Sequence, residues 1–191
     1  MDKHSFHITY TQATEHSVKL AIDNVLVNFF NFLKFNKFTP KNLNIKIGIE
    51  KDCHFQLSKT FINNLLSKEF HHEKWFEHSP RIEENGEPDF LGSCFYMINC
   101  LQEYAPSPLD SLGRFDFECS YQCKFQCTED HLVLTYFQNI AQVLFGSPIP
   151  LQQSQYLLSH DIDAIGYSVG INALSKSVHW HQALLMLFKS M

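Results

Sequence analysis

The stretch VKLAIDNVLVNFFNFL, residues 18–33, decides the fold of the first part of this chain. Its apolar residues recur at intervals of three and four, the spacing of one helix face buried against a core. Shorter runs over residues 6–10 and 45–49 flank it, and in both the apolar side chains alternate with polar ones. Such alternation is typical of strands. The order strand, helix, strand favours an α/β unit.

Further helical patterns follow this unit. A weaker one covers residues 60–70, a second extends from Asp89 to about Leu101, and a third covers residues 133–144. Asp89 stands where an N-cap belongs. The polar segment from residue 71 to 88 ends in turn residues and predicts a loop. We therefore expect an α/β (or α+β) domain with a mixed sheet flanked by helices.

Residues 115–127 show the cleanest alternation in the chain, with an apolar side chain at every odd position. This pattern predicts extended structure with one buried face. Three cysteines, Cys119, Cys123 and Cys127, belong to that face. A metal site would need a close cysteine pair and a second pair elsewhere. We therefore interpret these thiols as buried apolar groups rather than ligands.

The histidines offer weaker candidates for metal ligands. His71, His72 and His78 lie in a segment rich in glutamate, which favours a solvated surface. His179 and His181 belong to an apolar helical pattern, in which side chains two residues apart diverge. We expect none of the five to form a metal site.

Composition and charge exclude several classes of protein. The 191 residues carry 15 basic and 20 acidic side chains, a net charge of −5, which does not favour binding to nucleic acid through charge. The sequence has no apolar run of the roughly 20 residues that span a bilayer, so we expect no membrane span. Six dispersed cysteines favour a reducing, cytoplasmic location.

The sequence His160-Asp161-Ile162-Asp163 is the strongest candidate for chemistry. It follows a short apolar run at residues 155–159, which predicts a buried strand. In extended backbone Asp161 and Asp163 point to the same side, where two carboxylates repel each other unless a cation is bound. One carboxylate can then hold the cation while the other accepts a proton from water. The alternative is a pair of aspartates that caps the next helix.

Two motifs resemble known sequences. LLSHDID, residues 157–163, resembles the first motif of the polysaccharide deacetylase-like family (carbohydrate esterase family 4). DFLGSCFYMINCLQEY, residues 89–104, and DSLGRF, residues 110–115, are similar to a pattern in the α/β domain that precedes the deacetylase domain in one bacterial branch. Asn99 and Gln102 depart from that pattern, which frequently has Arg and Glu there. The resemblance covers about residues 80–190.

The resemblance implies roles for the two aspartates. Asp161 matches the general base, and Asp163 matches a carboxylate ligand of a divalent cation, usually zinc. Two further ligands would come from a His-x-x-x-His motif far downstream, and the sequence ends at Met191 without it. A (β/α) barrel needs on the order of 200 residues. We therefore expect a leading α/β domain, residues 1–150, followed in residues 151–191 by the first strand, motif and helix of an incomplete deacetylase-type barrel.

These expectations define two hypotheses. In the first, the chain is the N-terminal part of a metal-dependent deacetylase of N-acetylated glycans, inactive by itself, with zinc bound only in a complete catalytic domain. In the second, it is a non-catalytic structural or glycan-binding module. The apolar helix predicted over residues 171–188 would lack its partners, so we expect it to promote self-association. Arg114 has two alternative roles, a buried pair with Asp110 or Glu103 that holds the turn and a contact with substrate, and we favour the buried pair.

Overall fold

The computed structural model describes residues 6–12, 14–40 and 42–152. Helices dominate this part of the chain, with five strands in two small sheets. Two short 3₁₀ helices, Leu101–Tyr104 and Phe117–Cys119, accompany them. The strands and α-helices in chain order are β1 Phe6–Tyr10, α1 His16–Phe35, β2 Leu43–Gly48, β3 Phe55–Gln56, α2 Lys59–Ser67, α3 His72–Trp75, β4 Ile82–Glu84, β5 Glu87–Asp89, α4 Phe90–Ile98, α5 Tyr121–Phe125 and α6 Leu132–Phe145.

The predicted strand–helix–strand unit is confirmed. β1 and β2 pair in parallel, with Ile8 opposite Ile45, and α1 connects them. β3 extends the sheet on the other side of β2, also in parallel, with Phe55 opposite Ile47. The sheet order is therefore β1-β2-β3. The carboxyl ends of all three strands lie at one edge, the edge at which open α/β sheets bind ligands.

The helical stripe of residues 18–33 forms the centre of the core. Its buried residues are Val18, Ala21, Ile22, Val25, Leu26, Phe29 and Leu33. α4 contacts both α1 and α6, so the three helices enclose one apolar layer. The ring of Phe29 lies 5.6 Å from that of Phe137 in α6, centroid to centroid, in an edge-to-face arrangement. Aromatic pairs with this geometry add to the free energy gained from burial.

A β-hairpin occupies part of the segment that was expected to be a loop. β4 and β5 pair antiparallel around Asn85 and Gly86, both of which have positive φ angles, 56° and 81°. Asn-Gly with two positive φ angles is the preferred two-residue turn for a hairpin. The sequence predicts the turn, but the flanking strands have three residues each and are too short to show the apolar–polar alternation of a strand.

The prediction of extended structure over residues 115–127 is wrong. The segment forms the second 3₁₀ helix and α5 instead. Tyr121 and Phe125 are four residues apart on α5, whereas Phe117 belongs to the separate 3₁₀ helix and is exposed, so the alternating residues do not share one buried face. Asp116 accepts a hydrogen bond from the amide of Glu118, and Ser120 caps α5 by accepting one from the amide of Cys123. These caps favour helical turns over a strand.

The mixed α/β class is confirmed, although the strands form a parallel and an antiparallel sheet rather than one mixed sheet. The start of a deacetylase-type barrel, with its strand at residues 155–159 and helix at 171–188, lies outside the described residues. The domain boundary near residue 150 and self-association through the C-terminal segment therefore stay predictions. Within the described ranges, every helix is too short or too polar to cross a membrane.

Candidate functional site: the cleft beside His72

Gln102 and residues 105–108 border a cleft of about 430 Å³. We call it the His72 cleft. One wall is α3 with the residue before it, and the opposite wall combines the first 3₁₀ helix with the loop of residues 105–108. The second 3₁₀ helix and α5 contribute the remaining side. The lining residues that matter for the argument below are His72, Glu73, Gln102, Glu118 and Lys124.

An aromatic cluster holds the walls of this cleft in place. The rings of Trp75 and Phe76 lie 4.8 and 4.9 Å from that of Tyr96, and Phe76 also contacts Tyr121 at 5.5 Å. The Tyr96 hydroxyl donates a hydrogen bond of 2.8 Å to the carbonyl of Phe70, immediately before α3. Because Tyr96 and Phe76 are almost fully buried, the segments they join form a rigid base.

Gln102 joins two walls of the cleft directly. It is buried, 7% exposed, and its side-chain oxygen accepts a hydrogen bond from the amide of Tyr121 at 3.1 Å. Its side-chain nitrogen donates to Gln122 at 2.9 Å. A glutamate would supply the acceptor but not the donor. Gln102 stands where the resembled pattern frequently has Glu, and its amide donates a hydrogen bond to Gln122 that a glutamate could not donate.

His72 is buried on the first wall, which corrects the expectation of a solvated segment. The residue is only 7% exposed, whereas His78 is 79% exposed at its side chain. Trp75 and Phe76, three and four residues further on, lie on the same side of α3 and are buried with it. That spacing is the sequence signal that could have placed His72 inside. Burial lowers its pKa, and Glu73, whose carboxylate lies 3.3 Å from Nε2, opposes the effect only in part.

This lowered pKa predicts a pH dependence of stability. A folded-state pKa below the unfolded value near 6.5 means that the unfolded chain binds more protons, so acidification below about pH 6.5 favours unfolding. His72→Gln removes this contribution. We expect urea titrations from pH 7.5 to 5.5 to show a smaller loss of stability in that variant than in the wild type. His78→Gln is the matched control, and identical pH slopes in all three proteins would contradict the assignment.

Tyr104 lies close in sequence to the cleft residues but does not line the cleft. It stands between the lining residues Gln102 and Ala105 and is 72% exposed. Its ring packs edge-to-face on Phe70, with centroids 6.4 Å apart. The described contact of this ring is therefore with Phe70, outside the lining of the cleft.

The motif at residues 110–115 forms a closed turn. The Asp110 carboxylate accepts hydrogen bonds from the amides of Leu112 and Arg114 at 2.8 and 2.9 Å, and from the Arg114 guanidinium. Hydrogen bonds from Arg114, from its amide above all, hold the pKa of Asp110 below its usual value. The expected pair with Asp110 is confirmed, but Arg114 is exposed, not buried, with 70% of its side chain accessible. It fixes the loop that follows the cleft wall.

Asp89, the first residue of the motif, has a structural position. One carboxylate oxygen accepts a hydrogen bond from the amide of Gly92, capping α4 as predicted. The other accepts one from the amide of Ser58, the N-cap residue of α2, and both bonds are 2.8 Å long. A Cβ atom at Gly92 would lie 2.9 Å from this carboxylate, so the close approach requires glycine. Burial raises the pKa of Asp89, although these hydrogen bonds oppose the effect.

A second cleft, of about 610 Å³, opens at the carboxyl ends of β2 and β3. Two of its acidic lining residues already have protein partners. Glu84 accepts a hydrogen bond from the amide of Lys59 in the first turn of α2, and Asp89 accepts the two described above. His54 also lines it and accepts a hydrogen bond at Nδ1 from the amide of Lys46, 3.0 Å away. Glu84, Asp89 and His54 therefore serve the fold through these hydrogen bonds.

The predicted catalytic and metal-binding residues, Asp161 and Asp163, lie outside the described residues, as do His179 and His181. In the part of the chain that the structure describes, no three His, Cys, Asp or Glu side chains come together to hold a metal ion. Cys119, Cys123 and Cys127 are free thiols, and only Cys127 among them is buried. Cys119 and Cys123 are partly exposed, which corrects the expectation that all three thiols are buried.

Comparison with known proteins places the domain in a family. No curated protein and no solved structure matches the chain. Residues 2–147 match a protein family of unknown function, DUF7033, and the matched range includes both clefts and the whole motif of residues 89–115. The match extends over well more than half of the sequence. The chain therefore belongs to the DUF7033 family.

Proposed function

We propose that residues 1–150 form the non-catalytic leading domain of a polysaccharide deacetylase-like protein, and that this domain binds the N-acetylated glycan. The chemistry would belong to the segment that begins with Asp161 and Asp163. The order of the motifs supports this division, because the family match ends at residue 147 and the acidic motif follows it.

The observation that carries the proposal is the use of the motif carboxylates at residues 89 and 110. Asp89 holds the N-termini of α2 and α4 together, and Asp110 closes a turn with Arg114. Both are engaged by amide or guanidinium donors, so neither is poised as a general base. The two motif carboxylates therefore stabilise helix ends and a loop, which is consistent with a binding domain.

The metal that the resemblance implies does not fit the ligands present in this sequence. Asp163 supplies one of three expected protein ligands, and the His-x-x-x-His motif does not occur between it and Met191. A zinc site with a catalytic role usually has three protein ligands. We therefore derive no hydrolytic step for this chain.

A zinc titration by calorimetry tests this proposal. We expect the 191-residue chain to show no tight, saturable binding of zinc, and Asp163→Ala to give the same trace as the wild type, because one carboxylate does not make a site. Acetate release from an N-acetylglucosamine oligomer is expected to stay at background. Tight zinc binding that Asp163→Ala abolishes would show a complete metal site in this chain and would contradict the non-catalytic assignment.

The alternative is a structural role, in which the domain packs against the domain that carries the chemistry. One observation favours it: Leu109, Leu112 and Phe117 are 63%, 71% and 53% exposed on the segment around the Asp110 turn. Exposed apolar groups of this size, close together in sequence, mark contact surfaces. A domain that binds zinc weakly and glycans not at all would fit this role instead.

A further inference from the structure

We propose that the cleft at the carboxyl ends of β2 and β3 is the glycan site of this domain, and that it selects an uncharged N-acetylated sugar over an anionic one. The site rests on the proposed function and adds to it the place at which the sugar binds and the charge of the ligand. We call this cleft, which residues 51–58 and 84–90 border, the strand-end cleft. Its lining combines apolar surface, polar side chains that the fold leaves unused, and carboxylates that exclude anions.

Two segments of the chain form most of the strand-end cleft and are bonded to each other. One contains β3 and the residues that lead into α2, and the other contains β5 and the first residue of α4. The carboxylates of Glu84 and Asp89 join them by accepting hydrogen bonds from the amides of Lys59 and Ser58. The volume of about 610 Å³ lies within the range of roughly 300–1,000 Å³ that is common for small-molecule sites. A cleft held in this way is preformed, which reduces the entropy lost on binding.

The protein's own carboxylates exclude anions from this cleft. The first amides of a helix usually attract phosphate or carboxylate groups. At the start of α2, however, the amides of residues 58, 59 and 61 already donate to protein oxygens, those of Asp89, Glu84 and the Ser58 hydroxyl. Glu87 adds another carboxylate, and among the described lining residues Lys51 is the only lysine or arginine. The strand-end cleft therefore has no excess of positive charge that would hold an anionic ligand.

Phe90 gives the cleft the apolar surface that a sugar needs. It lines the cleft and is half-buried, and its ring is held against that of Tyr136, 5.8 Å away between centroids. Phe55 and Val143 contribute further apolar atoms to the lining. A pyranose has C–H groups on its faces and hydroxyl groups around its rim, and aromatic π electrons attract polarised C–H groups. Covering the exposed part of this surface also removes apolar area from water.

The lining also includes polar side chains that the fold does not use. In the described part of the chain, no hydrogen bond or ion pair engages the side chains of Lys51, Asn85 or Glu87. His54 accepts a backbone amide at Nδ1, so its neutral ring carries the proton at Nε2 and can donate it to a ligand. Together these groups can donate to and accept from the hydroxyl and acetamide groups of an N-acetylated sugar.

Calorimetric titration of the full 191-residue chain with the N-acetylglucosamine trimer tests the site. Asn85→Gly removes the side-chain amide but keeps the hairpin turn, because glycine readily adopts the positive φ of 56° at this position. We expect it to weaken binding by about fivefold, the equivalent of one hydrogen bond. Phe90→Leu keeps an apolar side chain against Tyr136 but removes the ring, and we expect it to weaken binding by about three- to tenfold.

Two controls accompany these variants. Lys124→Ala changes an exposed lining residue of the His72 cleft and is expected to bind the trimer like the wild type. A tetrasaccharide in which N-acetylglucosamine alternates with glucuronic acid is the anionic probe, and we expect the wild type to bind it at least about tenfold more weakly than the trimer. Circular dichroism and the urea midpoint show whether each variant is folded.

The outcomes separate the site from the function. Weaker trimer binding in Asn85→Gly and Phe90→Leu, with Lys124→Ala unchanged, supports the strand-end cleft. If all three variants bind like the wild type, or if only Lys124→Ala loses affinity, the site is wrong while the proposed glycan-binding function stands. If the wild type does not bind the trimer at all, the glycan-binding function fails together with the site. Binding of the anionic probe as tightly as the trimer would overturn the preference for an uncharged sugar.

Discussion

Replacing Phe29 with alanine is expected to lower the free energy of unfolding by about 3–5 kcal/mol, the range for a large aromatic side chain removed from a core. Phe29 is fully buried on α1, and its ring is 6.0 and 6.2 Å from those of Phe30 and Phe32 and 5.6 Å from that of Phe137. The surrounding helices cannot close the gap fully, because each is also held by other core contacts. Denaturation in urea, followed by circular dichroism, measures the change.

Phe35→Ala provides the control on the same helix. Phe35 is 69% exposed and lies six residues beyond Phe29, so its removal is expected to change the free energy of unfolding by less than about 0.5 kcal/mol. Equal losses in the two variants would mean that α1 does not bury the face described above. The core around the helix would then be wrongly placed.

Asp89→Ala is expected to cost about 2–4 kcal/mol, because two buried amides lose their acceptor at once. The α4 cap contributes about 1 kcal/mol of this loss, and the unsatisfied amide of Ser58 contributes about 1–3 kcal/mol. Asp89 is 3% exposed, so water cannot easily replace the carboxylate. The same urea titration measures the effect.

Asp116→Ala is the control for the Asp89 prediction. The Asp116 carboxylate also accepts a hydrogen bond from an amide at the start of a helical turn, that of Glu118 at 3.0 Å, but the bond lies at the surface. We expect its loss to cost about 0.5–1 kcal/mol, since water can take its place. A smaller effect at Asp89 than at Asp116 would contradict the role of the buried carboxylate in joining α2 and α4.

The elements that the sequence predicted correctly are those with a long or unambiguous period. α1 repeats its apolar spacing over five turns, and β1 and β2 alternate on either side of it, so one arrangement satisfies all three. Asp89 was placed correctly as an N-cap because its position before an apolar helix leaves little choice. Local chemistry alone decides these elements.

The remaining elements depend on contacts between distant residues. At residues 115–127 the alternation predicts a strand, but Asp116 and Ser120 cap two separate short helices instead. The His72 cleft could not be predicted from the sequence either, because its walls come together through contacts of Phe70 with Tyr96 on α4 and with Tyr104. Tyr96 and Phe70 are 26 residues apart in the chain, and no periodic pattern in the sequence predicts their contact.

The most direct test of the account is an amide NMR titration of the ¹⁵N-labelled chain with the N-acetylglucosamine trimer. A glycan-binding domain predicts saturable shifts clustered at one cleft, either residues 71–73, 102–108 and 118–124 or residues 51–58 and 84–90, with no signal of free acetate. A titration without saturable shifts, or the appearance of free acetate, would contradict the account.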